Sequence, residues 1–272
     1  MRFTAMEAMA IASAKELVAG GRFAKLPVDI AGLAAQLGVR DISARDMASD
    51  GYLGRDRSGE FVIRYRAINN PRRNRFTIAH ELGHLLLLQL TGDRGDSPPR
   101  GLDRDREERV VNRIASELLM PEASVANELA SCSAAGRAPG WGSIARMSLR
   151  FDVSLAAMAI RILELPQILS ASLRIAIEGP APAKAFTSSQ DPNVRLVDGA
   201  EFEIDRVWRE SRRSKQHVLT IGTDRDRMDI CCEGRIHTLG RGPRQVRQYW
   251  VLGWENCGSP GMAPDYGELN GR

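Results

Sequence analysis

Lysine is almost missing from this 272-residue chain: of its 38 basic residues only Lys15, Lys25, Lys184 and Lys215 are lysine, and the rest are arginine. Genome base composition produces such a skew as readily as function does. The formal charge of only +4 allows an acidic partner without requiring one. Cysteine is scarce too. Cys132, Cys231, Cys232 and Cys257 show no framework spacing, which excludes a disulfide scaffold and points to reduced thiols. No stretch approaches the roughly 20 apolar residues of a membrane span. Glu7, Lys15 and Glu16 interrupt the alanine-rich start before a secretory apolar run forms. Together these absences lead to the expectation of a soluble cytoplasmic protein without a membrane partner. What is present is ordinary for a globular chain, 43% apolar and 26% charged residues, enough to bury a core. There is no internal repeat.

Apolar spacing predicts a helix over 5–19, stopped by Gly20-Gly21, and a second in LPVDIAGLAAQLGV, capped by Asp29 and ended by Gly38. VRDISARDM, GYLGRDR and EFVIRYR read as strands, the last two joined by a turn at 57–60. A long helix follows from about 72 to 90, then a Gly/Pro/Asp-rich loop to 104, a helix to Met120-Pro121, a short one to about 129, and two more covering SIARMSLRF and SLAAMAIRILEL. After about residue 172 EGPAPAKAFTSSQDPN resembles a linker, and FEIDRVW, HVLTIG, MDICC, RIHTL and QYWVLGW read as strands. The expected organisation is a mostly helical α+β domain over 1–172, a small β-rich domain over 173–257 and a frayed tail over 258–272.

The informative stretch is FTIAHELGHLLLLQL, where His80-Glu81-Leu82-Gly83-His84 has the form H-E-x-x-H inside an apolar helical pattern. Residues four apart on a helix share a face, so both imidazoles can meet one ion. Glu81, about a third of a turn away, can reach a water rather than the metal and so suits a general base. Ile78, Leu82, Leu85 and Leu86 are expected to bury the opposite side. Gly83 costs about 1 kcal/mol of helix propensity relative to alanine, which suggests close approach by a neighbouring strand or a bound peptide. Catalytic zinc takes three protein ligands and leaves a position open. No third histidine follows at short spacing, since His217 and His237 lie in the β region. The next helix offers Glu107, Glu108 and Glu117. Glu108 is preferred because Asn112 lies one turn on, where its oxygen can accept a hydrogen bond from a ligating imidazole. Glu107 is expected to point about 100° away on the 3.6-residue helical repeat.

These residues, with EERVVNRIASELLMP, PVDIAGLAAQLGV and IARMSLRFDVSLAAMAIRILEL, resemble the ImmA/IrrE family of zinc-dependent metallo-endopeptidases over about residues 5–165. One departure is Val110-Val111, where relatives commonly carry Glu-Ala. The resemblance implies a zincin-like fold, His80, His84 and Glu108 as metal ligands, and Glu81 as catalytic base. It also implies a protein substrate, typically a helix-turn-helix repressor encoded nearby, whose cleavage switches on stress-response or mobile-element genes. Zinc is the implied metal; manganese and iron remain open because availability matters as much as affinity.

Other readings compete. Tyr52, Tyr65, Arg73 and Arg75 are all candidates for stabilising an oxyanion, and nothing selects among them. EFVIRYR is either an edge strand that pairs with an extended substrate or an ordinary sheet strand. Residues 142–164 have a helix-turn-helix-like layout, which raises the alternative of a DNA-binding or partner-binding regulator or sensor that retains the metal site. Direct DNA binding is disfavoured, because SLAAMAIRILEL offers only Arg161 to a base edge. The arginine runs near 55–75 and 209–213 read as solvated faces or as docking sites for an acidic partner. Cys231 and Cys232 point to opposite faces of a strand, so a second metal site with His237 and Cys257 is disfavoured.

Overall fold

The structure, a computed structural model, describes residues 5–19, 23, 25–91, 104–134 and 141–165, and beyond these the strand segments 172–175, 185–188, 195–196, 215–222, 227–239 and 246–254. It is an α+β protein with seven helices among the described residues. Two compact units are distinguished, Met1–Asn127 with Arg146–Met158, and Glu128–Ala145 with Ala159–Arg272. Among the described residues no helix is long and apolar enough to cross a membrane.

In the first unit α1 (Ala5–Ala19) buries Glu7, Ala10, Ala14 and Val18 along one face. Glu7 is an unusual residue to bury, and its Oε1 accepts a hydrogen bond from Arg106 Nε at 2.6 Å. The helix α2 (Ile30–Gln36) starts where the Asp29 carboxylate accepts the Gly32 N–H at 2.9 Å. It stops before Gly38, whose φ of +85° no side chain favours. Three strands follow, β1 (Val39–Ala44), β2 (Gly51–Arg55) and β3 (Phe61–Tyr65). The 57–60 turn forms as its composition suggests: Asp56 Oδ1 accepts the N–H of Ser58 at 2.8 Å and of Glu60 at 3.1 Å, and Gly59 supplies a positive φ.

The sheet order is β1-β3-β2, with β3 parallel to β1 and antiparallel to β2. This corrects one of the two readings of EFVIRYR. The segment is the central strand, with Ile63 fully buried, and the edge beside it is β2.

The helix α3 (Pro71–Thr91) begins with proline at its first position, after Asn70, whose Oδ1 accepts the Arg73 N–H at 3.2 Å. Its apolar face buries Ala79, Leu82, Leu85, Leu86 and Leu87, whereas Ile78 is only half-buried. The helix α4 (Arg104–Leu119) packs on α3 and α1, burying Val110, Val111, Ile114, Ala115 and Leu118. Helix α5 (Glu122–Ala134) runs past the expected end near 129. Its first turn is held by Glu117 Oε1, which accepts the Glu122 N–H at 3.0 Å.

Helices α6 (Trp141–Arg150) and α7 (Leu155–Leu163) are joined by a turn in which Asp152 adopts φ +52°. Asp152 lies 3.3 Å from Arg72 Nε and 3.2 Å from Arg75 Nε, which ties this turn to the start of α3.

In the second unit β4 (Ser172–Ile175) pairs antiparallel with β5 (Ala185–Ser188). The strands β6 (Arg195–Leu196), β7 (Lys215–Gly222), β8 (Arg227–Leu239) and β9 (Val246–Trp254) form an antiparallel sheet in that order. Two expectations change. MDICC and RIHTL belong to one 13-residue strand, because Glu233-Gly234 continues the ladder with β7 and β9 instead of turning. The segment read as a linker contains β5. FEIDRVW and the tail after Cys257 lie outside the described residues.

Candidate metal centre

The site forms where α3 and α4 cross. Helical periodicity puts His80 and His84 on one face of α3, and their rings meet edge to face with centroids 4.9 Å apart. Gly83, between them in sequence, faces α4 at short range. A methyl group built on Gly83 would stand 3.0 Å from the Val111 carbonyl oxygen and 3.0 Å from its Cγ1. The close neighbour is therefore α4 itself, not the strand or peptide the sequence suggested. A glycine at 83 and a valine at 111 let the two helix backbones approach.

That approach delivers Glu108. Its Oε2 lies 3.4 Å from His80 Nε2 and its Oε1 3.8 Å from His84 Nε2. Donor atoms of His80, His84 and Glu108 all lie within 4.8 Å of one another. The outer nitrogens face away from this point toward two further side chains of α4. His80 Nδ1 is 3.1 Å from Asn112 Oδ1, and His84 Nδ1 is 3.2 Å from Glu107 Oε1. An oxygen acceptor at Nδ1 of a neutral imidazole favours the ring proton there and leaves the Nε2 lone pair turned inward. Burial, then the neighbouring His84, hold His80 below the ordinary histidine range and keep it neutral, the form that binds metal. Two imidazoles and one carboxylate converging on one point form the donor set of a catalytic zinc site, so the residues fit the ion.

Glu81 sits on the flank of this cluster, only 7% exposed. Burial, reinforced by the Glu108 charge, pushes its carboxyl up to about 7, opposed by the Leu53 backbone N–H. Leu53 belongs to β2. Asp50 O accepts the Arg66 N–H at one end of the ladder and Asp56 N–H donates to Glu60 O at the other, so by alternation the backbone groups of Gly51, Leu53 and Arg55 turn away from β3. Gly51 leaves the space that the carboxylate fills: a Cβ there would fall on Glu81 Oε1 and against Thr77. The Glu81 carboxyl is thus held between its own helix and the edge of β2.

Sequence reasoning set Glu107 aside and missed Gly51. Glu107 is indeed a third of a turn from Glu108, but α4 crosses the histidine pair so that both acids reach it from different sides. The signal for Gly51 was the pair of glycines in a five-residue strand, which marks close approach of another group. The four oxyanion candidates separate. Arg75 donates to the Val28 carbonyl at 3.2 Å and lies against Asp152, away from the histidines. Tyr52 alternates to the face opposite Gly51 and lies against Gly54. Arg73 depresses His80 electrostatically while its Nη2 donates to Asp50 at 3.0 Å. Tyr65 pairs with Gly51. Arg161, the base-reading candidate of α7, is 3% exposed.

The IrrE N-terminal-like domain matches residues 34–163, a span that contains every residue of this site. The chain is 30% identical over 169 residues to the radiation response metalloprotease IrrE of Deinococcus radiodurans, covering 60% of this chain and 47% of that protein. It thus spans about half the length of that curated relative. A solved structure of a Mycobacterium tuberculosis transcriptional regulator matches with a TM-score of 0.62 at 14% identity, covering 91% of this chain and 76% of that one. That likeness concerns the fold alone.

Proposed function

Because residues 34–163 belong to the ImmA/IrrE family, we propose that this protein is a zincin-like, zinc-dependent endopeptidase. Its proposed substrate is a protein, of the helix-turn-helix repressor class, whose cleavage turns on stress-response or mobile-element genes in the cytoplasm. The observation that carries the reading is the convergence of His80, His84 and Glu108 beside a buried Glu81. A bound zinc ion supplies a Lewis acid that acidifies a water and polarises the scissile carbonyl.

The chain's own residues account for the rest. Asn112 accepts at His80 Nδ1 and orients that imidazole. Glu81 takes the proton of the attacking water and delivers it to the departing amine. Burial suits it to both transfers, since its pKa of about 7 lies near working pH. The edge of β2 runs beside Glu81, whose carboxyl takes the Leu53 N–H, and the remaining outward backbone groups of that edge offer pairing to an extended segment of substrate. Arg73 and Tyr65 stand at the Gly51 end of that edge.

The experiment is incubation of the zinc-loaded protein with the regulator encoded beside its gene. Wild type is expected to yield two fragments and Glu81→Gln none. Equal cleavage by both would remove Glu81 from its assigned role, and binding without cleavage by either would favour a non-proteolytic partner.

A further inference from the structure

Glu107 opens an arginine-rich helix, where the ordinary fate of an acid is a solvated ion pair. Instead its side chain is only 19% exposed and its Oε1 lies 3.2 Å from His84 Nδ1. The neighbouring Arg106 is engaged elsewhere, with Glu7. We propose that Glu107 is a positioning residue of the metal centre: its carboxylate accepts the Nδ1 proton of His84 and so fixes that ring with Nε2 toward Glu108. The inference rests on His80, His84 and Glu108 being the ligand set.

Its consequence is an unequal pair of imidazoles. His80 is oriented by an uncharged amide and His84 by an anion. A carboxylate acceptor makes the imidazole the more basic donor, and loss of such outer partners typically weakens metal binding. All three supporting groups come from two turns of α4, residues 107, 108 and 112, brought in by the contact at Gly83. One helix therefore provides both the third ligand and the tautomer of both histidines.

The test uses the full-length protein, wild type, Glu107→Ala and Glu107→Gln, with two readouts. Nitrogen-15 NMR of the zinc-free protein reports which ring nitrogen of His84 carries the proton. Competition with a chromogenic chelator reports zinc affinity. Wild type is expected to show the Nδ1–H tautomer of His84. Glu107→Ala should move it toward Nε2–H and weaken zinc binding by roughly ten- to a hundredfold. Glu107→Gln, which keeps an acceptor oxygen, should restore the tautomer and part of the affinity.

An unchanged tautomer in Glu107→Ala would overturn the proposal, even if affinity falls. So would equal losses in both variants accompanied by the same drop in melting temperature, which would mark a purely structural role. Failure of wild type to bind zinc would instead contradict the metal-centre reading, and the zinc-free NMR comparison would still decide the role of Glu107.

Discussion

Glu81 and Gly51 define the residue scale, because their contact is where a strand edge meets the chemistry. Replacing Gly51 by alanine ordinarily favours a strand, since glycine loses more conformational freedom on folding. Here the new methyl would fall where Glu81 Oε1 and Thr77 sit. Gly51→Ala should therefore lower kcat on the order of 10²-fold while zinc stoichiometry, counted by atomic absorption, stays at the wild-type value. A loss of zinc in that variant would place Gly51 in support of the ligands rather than of the base. At this scale the sequence was legible wherever one helix's own periodicity decides geometry. His80, Glu81 and His84 follow from the spacing within α3 alone. Glu107 did not, because its distance from His84 depends on how α4 crosses α3, and no within-helix spacing carries that.

Between elements the decisive contact is Gly83 against Val111. Alanine at 83 gains about 1 kcal/mol of helix propensity, but overpacking at a backbone carbonyl costs roughly 1–3 kcal/mol. The second effect wins if α4 cannot retreat, and any retreat carries Glu108 away from the histidines. Gly83→Ala should thus lower the melting temperature of the zinc-free protein and weaken zinc binding together. A variant with unchanged affinity would mean that α4 adjusts without moving Glu108.

The strand that flanks the site is anchored at its start by Asp50. Hydrogen bonding from Arg73, then from Arg66, holds its carboxyl below the ordinary aspartate range. A depressed folded pKa contributes stability above the unfolded pKa and loses it as pH falls through the folded value. Asp50→Asn should therefore reduce the stability of zinc-free protein at neutral pH and make no difference in strong acid, as denaturant titrations at the two pH values can check. The effect should be small, because the group is exposed. The helices of this unit were readable from caps and apolar spacing. The order of its strands was not: neither GYLGRDR nor EFVIRYR carries a signal for its partners, and only the pairing of β3 with β1 makes one central and the other an edge.

For the molecule as a whole, a site that exists only when folded links metal to stability. Zinc at a hundred times its dissociation constant should add about 2.7 kcal/mol, read as a rise in the melting temperature of wild type that His84→Ala lacks. An equal rise in both would place the stabilising ion elsewhere, for example on the cysteines of β8. The second unit was legible as β-structure from alternation in HVLTIG and QYWVLGW. The continuity of β8 through Glu233-Gly234 was not, since a glycine among polar residues reads as a turn until two neighbouring strands are seen to pair across it.

The most direct measurement is anomalous diffraction from crystals grown with zinc, recorded at the zinc edge. The expected result is a single strong peak about 2.0–2.2 Å from His80 Nε2, His84 Nε2 and a Glu108 oxygen, with Glu81 and Glu107 outside bonding distance. A peak held by other residues, or none beside these three, would contradict a shared hydrolytic centre between α3 and α4.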